Sequence, residues 1–406
     1  MSLESGLTCR VCGFKVLRVR SFPDTPIARA MQPHGTSEID RRYPFALAHC
    51  GNCGFVQVEQ PIPAEILYRN LQFNFSSWKH EPHLADEITA LKQLADLSGV
   101  VDIGCNDGKL LAELETTFGC QTLGIEPDPV YADIAQKLGI DVINAEANDA
   151  VAREVMKRLK VTTVVCRQVI EHVADANGLF LFANKILPTG GYFLLDVPNF
   201  EVALNVGDAT VLWEEHIGYF TAPLINALLR HHGFTVEWEQ NFEVSHGILA
   251  LLARKTSGSP KTKLDGGLIA SIDIDSFLSR LDEYRRQLLE RLETARENDR
   301  KIIMYGAGVR GATGVNRLGL ADLIDFVVDD NSERQGMRLS GTNVEISSIE
   351  RLREKFGNKP PVFLLAVNNE NENVVANRIR SVLGGSPVSI VSICGPRNML
   401  GELANI

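Results

Sequence analysis

The chain has 406 residues, 45% of them hydrophobic and 23% charged, enough apolar side chain for two or three sizeable cores. Its net charge of −10 opposes non-specific binding to nucleic acid, although local backbone donors can still hold a phosphorylated small molecule. No apolar run approaches the ~20 residues of a membrane helix, and the N-terminal MSLESGLTCRVCG has no apolar signal core, so a cytoplasmic protein without a membrane partner is expected.

Residues 1–60 read as a small module. Cys9 and Cys12 in CRVCGF are echoed by Cys50 and Cys53 in CGNCGF, which predicts two similar turns facing one metal. Two thiolate pairs suit a tetrahedral zinc, and a region this small buries too little apolar surface to dispense with a metal clip. One CxxC alone is also compatible with a redox pair; two in one module favour a structural metal. Four protein ligands leave no open position, so no catalytic role is expected of this zinc. His49 is expected to be a bystander. Pro23 to Tyr43 reads as irregular chain with short elements. Four further cysteines, Cys105, Cys120, Cys166 and Cys394, sit singly and read as reduced thiols in or near cores.

Residues 61–99 form a connecting region. It opens on Pro61 and Pro63, continues through the aromatic LYRNLQFNFSSWKH, and ends in a helix with Leu84, Ile88, Leu91, Leu94 and Leu97 at helical spacing. Residues 100–255 alternate strand and helix. The strands are VVDIG (100–104), QTLGIEP (121–127), DVIN (141–144), TTVVCR (162–167), GYFLLDVP (191–198), FTVEWEQNF (234–242) and GILALLAR (247–254). The helices lie at 109–118, 130–139, 150–159, 178–187 and 224–233. This alternation predicts an α/β domain with a mostly parallel sheet covered on both faces. Residues 256–275 read as a polar linker, followed from 276 to 406 by a second, shorter α/β unit. That unit has an amphipathic helix from Phe277 to Leu292, strands at 301–305, 323–331, 361–369 and 388–394, and a helix at 348–356.

The segment V101-D102-I103-G104-C105-N106-D107-G108 runs from a strand through a glycine loop into a helix. Gly104 permits a tight turn close to a ligand, and the helix offers free N–H groups. The G-K-[ST] ending of a Walker A loop is missing. Glu126 ends the next strand 22 residues after Gly104, where an acid typically binds ribose hydroxyls. The residues alone point to an adenosine-type ligand, with NAD as the second candidate. In the C-terminal unit Gly306, Gly308 and Gly311 form a G-x-G-x-x-G loop, with Asp329 at the next strand end, a weak dinucleotide signal by itself.

DIGCNDGKLL followed by GIEP resembles the cofactor motifs of class I S-adenosylmethionine methyltransferases. The resemblance implies that Asp102, Gly104, Asn106 and Gly108 hold the methionine portion. Glu126 with Pro127 would hold the ribose, and Arg167 in VCRQVIEHV would line the same pocket. Residues 7–400 further resemble three-domain C-methyltransferases of nucleotide-linked 4-keto deoxysugars, the mycarose type. These share a zinc module, a Rossmann-like methyltransferase domain and a C-terminal Rossmann-like domain. In WEEHIGYF the resemblance places catalysis on Glu215 and His216, with His172 near the substrate. Phe75, Trp213, Tyr219, His246 and Arg310 would contact a nucleotide-sugar. Trp213 and Phe75 stand where the family has tyrosine, Arg310 where it has lysine, and Ile248 where it has glycine, which removes two phenol donors from the pocket.

The chemistry implied is removal of a proton beside a ketone by neutral His216, with Glu215 as the alternative base. A donor such as His172 would stabilise the enolate oxygen, and the methyl group would then pass to carbon. Three other readings stay open: O- or N-methylation of a related small molecule, an inactive zinc- and nucleotide-binding scaffold, and an NAD oxidoreductase using the C-terminal loop. Oligomeric state is not legible in the sequence.

Overall fold

A computed structural model describes residues 7–37, 40–68, 81–257 and 272–395. Phe75 with its aromatic neighbours, most of the linker and the last residues lie outside the described residues.

The central domain carries a seven-stranded sheet. Its order is Phe234–Phe242, Ile248–Lys255, Tyr192–Pro198, Thr163–Arg167, Gly99–Ile103, Gln121–Ile125 and Val142–Ile143. The strands from Tyr192–Pro198 to Val142–Ile143 are parallel, and the other two close the edge antiparallel. Gly99–Ile103 is buried along its whole length, as a sheet covered on both faces requires. The helices start where local chemistry predicts: Asp128 accepts from the N–H of Val130 ahead of Pro129, and Asn148 accepts from Ala150 and Val151. The strand order reverses beside Gly99–Ile103, which opens a crevice at the carboxyl ends of that strand and Thr163–Arg167.

The C-terminal unit is a five-stranded parallel sheet of order Ile346–Ser347, Phe326–Val328, Ile302–Tyr305, Val362–Leu365 and Ser389–Ser392. The amphipathic helix Ile274–Glu297 leads into it and packs on the helix Phe200–Val206, so closely that a Cβ on Gly207 would lie 2.7 Å from the Leu281 nitrogen. The helix Asn369–Val382 was not expected from the sequence; only Glu372, Ala376 and Ile379 on it are buried, too thin a stripe to stand out.

The N-terminal module departs most from expectation. The strand Leu17–Pro26, not expected from the sequence, runs into the stretch read as irregular from Pro23 and pairs antiparallel with Arg42–His49. Prolines and bulges disguise it, and half of its residues are exposed. Arg42–His49 pairs in turn with Val56–Val58, and that strand pairs with Gly218–Tyr219 of the central domain. The module's sheet is therefore completed by residues from the WEEHIGYF segment. On its other side Gln32–Pro33 pairs with Met337–Arg338 of the C-terminal unit. One core joins Cys9, Val11 and Phe55 to the central sheet, and a second joins Phe45 and Leu47 to the C-terminal sheet. No helix among the described residues is long and apolar enough to cross a membrane.

Candidate active site

The sequence echo in the module becomes a structural echo. Cys9 N–H donates to the Phe14 carbonyl and Gly13 N–H to that of Cys9; Cys50, Phe55 and Gly54 repeat the pattern. Gly13 and Gly54 both have φ +74°, a left-handed turn that glycine permits. The Sγ atoms of Cys9 and Cys53 lie 3.6 Å apart, those of Cys12 and Cys50 3.4 Å, and all four lie within 4.8 Å of one another. Thiolates on a tetrahedral zinc stand ~3.8 Å apart, so the donor set fits that ion.

At the crevice of the central sheet, Gly104 turns with φ +77°, and a Cβ there would lie 2.4 Å from Val169 Cγ2. Glu126 is buried, with one carboxylate oxygen accepting from Asn106 N–H at 2.9 Å and the other from Asp128 N–H at 2.8 Å. Each oxygen keeps a lone pair for a ribose hydroxyl. Burial pushes the Asp102 carboxyl up to about 7, while Arg167 draws it down and Glu126 adds to the rise. A cationic amino-acid group bound beside Asp102 would hold it ionised. The residues thus fit an adenosine ligand with a charged amino-acid end. Asn144 braces the turn by donating to the carbonyls of Glu126 and Pro127. Gly108 caps the helix Lys109–Phe118, and a Cβ there would meet Ala135 at 2.8 Å. Arg167 is engaged with carboxylates: Glu87 at 2.7 Å, Glu81 at 2.8 Å and Asp196 at 3.2 Å.

The Glu-His segment lies beside this crevice. His172 Nδ1 bonds to the Glu215 carbonyl oxygen at 2.9 Å, and Ile217 N–H donates to the Glu171 carbonyl. The rings of His172 and His216 lie 4.9 Å apart, and Trp213 lies 4.8 Å from His216 and 5.8 Å from His172. His172, His216 and Trp213 are therefore one cluster, with Glu171 Oε1 3.8 Å from His172 Nε2. Glu215 is held by a residue that sequence reasoning missed. Arg29 Nε and Nη2 donate to its two oxygens at 2.6 and 2.8 Å, with side chains 7% and 2% exposed. Glu214 accepts from Ala28 N–H and from the Trp213 indole. The one sequence signal for Arg29 was a lone cation among apolar neighbours in PIARAM.

The remaining expected contacts among the described residues have other partners. Tyr219 is buried in the strand shared with the module, against Phe200 at 4.9 Å. His246 is buried between the central and C-terminal units: its N–H donates to Asn369 at 2.9 Å and its Nδ1 lies 3.4 Å from Asp208. Arg310 donates to Asn368, to Thr210 and to the Ser245 carbonyl, bridging the same two units. In the C-terminal glycine loop, Asp329 accepts from Ala307 N–H at 2.6 Å and pairs with Arg334 at 2.8 Å. The carboxylate that a dinucleotide ribose would need is held by an internal cation.

Three family models match the chain in its order of parts. Residues 9–68 match a zinc binding domain, 77–239 a methyltransferase domain, and 266–388 a C-methyltransferase C-terminal domain. Among curated proteins none matches the chain. Among solved structures, a SAM-dependent methyltransferase from Archaeoglobus fulgidus is similar at 17% identity, covering 42% of this chain and 92% of its own, with a TM-score of 0.34. The cyclopropane synthase MmaA2 from Mycobacterium tuberculosis is similar at 19% identity, covering 39% and 62%, with a TM-score of 0.31. The magnesium protoporphyrin IX methyltransferase of Synechocystis PCC 6803 is similar at 15%, covering 43% and 76%, with a TM-score of 0.31. Each likeness stops short of half of this chain.

Proposed function

This chain is an S-adenosylmethionine-dependent methyltransferase with a zinc-binding cysteine cluster, and from that premise we propose that it methylates the carbon beside the ketone of a nucleotide-linked 4-keto deoxysugar. The observation that carries this reading is the pair of imidazoles, His172 and His216, 4.9 Å apart beside the cofactor crevice. A carbon beside a ketone is not nucleophilic until it loses its own proton, so such a transfer needs a base and a counterweight for the charge on oxygen. The C-methyltransferase model over residues 266–388 supports the same class of reaction.

His216 takes the proton from the carbon beside the ketone. The electrons of that C–H bond form the enolate, whose negative charge rests on the ketone oxygen. His172, fixed through Nδ1 by the Glu215 carbonyl, presents Nε2 and in its protonated form donates to that oxygen. Bound in the crevice, S-adenosylmethionine supplies an electrophilic methyl group on a sulfonium. Asp102, Gly104, Asn106 and Gly108 hold its amino-acid end, and Glu126 with Pro127 its ribose. Arg167 acts from behind, tying helix Leu84–Leu94 to the strand ends. Trp213 and Tyr219 shape the sugar side, and His246 and Arg310 the nucleotide side between the two α/β units. The four cysteines hold zinc as a structural ion.

The test incubates the enzyme with carbon-13 methyl S-adenosylmethionine and a panel of nucleotide keto-sugars, and locates the label by NMR. Label on carbon beside the ketone is expected. Label on oxygen or nitrogen would overturn the reading.

A further inference from the structure

The cation that grips Glu215 comes from neither α/β unit. Arg29 follows the strand Leu17–Pro26 of the zinc module and is itself buried. Its planar fork meets both carboxylate oxygens of Glu215, a geometry that fixes direction as well as charge. The surroundings are dry and charged. Glu214 lies next to Glu215, and Tyr131 reaches Arg29 from the helix that starts at Pro129, just past Glu126. Burial pushes the Glu215 carboxyl up to about 7, and Arg29 is the chief influence drawing it down.

Two further bonds from the module hold the same segment. Arg10, inside the first cysteine knuckle, donates to the Ile217 carbonyl, and Ala28 N–H donates to Glu214. The segment 214–217 is thus held at its first residue, its second and its last. The Glu215 carbonyl is the acceptor that orients His172.

We infer that Arg29 is a positioning residue for methyl transfer: by clamping the Glu215 carboxylate it sets the Glu215 carbonyl, and that carbonyl fixes the ring of His172 beside His216. The inference rests on the roles proposed above for those two imidazoles. It makes the zinc module part of the catalytic frame. The module's sheet takes Gly218–Tyr219 as its partner strand, and its arginine binds Glu215, so the segment that carries His216 is anchored on both sides by the module. Arg29 also joins that frame to the cofactor side through Tyr131.

The test uses the full-length zinc-loaded enzyme with Arg29→Lys and Arg29→Met. Lysine keeps the charge and loses the fork. Nitrogen-15 histidine NMR, with His172 assigned by its loss in His172→Phe, reads whether the Nδ1 proton is protected from exchange with water. Protection is expected in the wild type, reduced in R29K and lost in R29M. Turnover is expected to fall about a hundredfold in R29M, as misplacement of a reacting group by ~1 Å can do, with S-adenosylhomocysteine affinity unchanged. R29K should recover part of the loss. Removing one partner of a buried pair can unfold a protein; if R29M does not fold, R29K carries the test, with a fall of about tenfold expected. Unchanged His172 protection in a folded variant overturns the inference. So does full turnover in R29M/E215Q, since Arg29 would then only offset a buried charge. The NMR readout needs no sugar, so a wild type that methylates no carbon while R29M frees His172 would refute the proposed reaction and leave this inference standing.

Discussion

Val169 closes over Gly104 so tightly that its Cγ2 would lie 2.4 Å from any Cβ placed there. Gly104 has φ +77°, a conformation that L side chains rarely adopt, and Val169 is β-branched and stiff at χ1. Gly104→Ala should therefore lose stability by about 2–3 kcal/mol, from the unfavourable φ and the overpacking together. It should also weaken S-adenosylhomocysteine binding by at least about tenfold, because each 1.4 kcal/mol lost at the site is a factor of ten. Calorimetry of both variants checks this: adding Val169→Ala to G104A should return part of the affinity. An unchanged G104A affinity would show that the loop does not approach the ligand.

Asp102 provides a pH dependence with a definite sign. Burial raises its carboxyl to about 7. In the ligand-free protein this group favours the fold most below the ordinary carboxylate range and loses that contribution as pH rises through about 7, at most roughly 4 kcal/mol for such a rise. A cationic ligand needs the ionised form. Affinity for S-adenosylhomocysteine should then climb about tenfold per pH unit below about 7 and level off above it, since one proton is released on binding. Titrations from pH 5.5 to 8.5, repeated with Asp102→Asn, test this. A wild-type affinity as flat with pH as that of D102N would remove Asp102 from the site.

Loss of zinc should reach beyond the module. Cys9, Cys50 and Cys53 are buried in the same core as Phe193 and Leu224 of the central domain. Cys50→Ser should reduce bound zinc well below one per chain, measured by plasma mass spectrometry, and lower Tm by at least about 5 °C, since a structural zinc contributes folding energy directly. A C50S protein with full zinc and native Tm would contradict the four-thiolate site.

Asp329 should behave as a structural anchor. It is buried against Arg334 and takes the Ala307 N–H of the glycine loop. Asp329→Ala should cost about 3 kcal/mol in urea unfolding, the usual penalty for breaking a buried pair, and leave S-adenosylhomocysteine affinity unchanged. An enzyme whose stability is unaffected, but which loses a measurable affinity for NAD, would restore the dinucleotide reading of this loop.

What could be read from the sequence alone was what short stretches of chain decide. The repeated CxxC-Gly-Phe became two matching knuckles, because five or six residues and one left-handed glycine are sufficient to form each. The strand, glycine loop and helix around Gly104, and the acid at Glu126, were legible because backbone geometry within about one βαβ unit places them. The alternation of strand and helix in the central domain was equally clear. Local pattern failed where burial was one-sided or thin, as in Leu17–Pro26 and Asn369–Val382.

Tertiary structure alone decided which groups meet. Arg29 and Glu215 are 186 residues apart in the chain, and nothing in either neighbourhood marks them as partners. Gly218–Tyr219 reads as part of the central domain yet completes the module's sheet. Arg167, expected to line the cofactor pocket, meets three carboxylates from distant parts of the chain. The physical reason is common to all three. A charge or strand edge removed from water must find a complement wherever packing supplies one, and packing joins segments without regard to their distance along the chain.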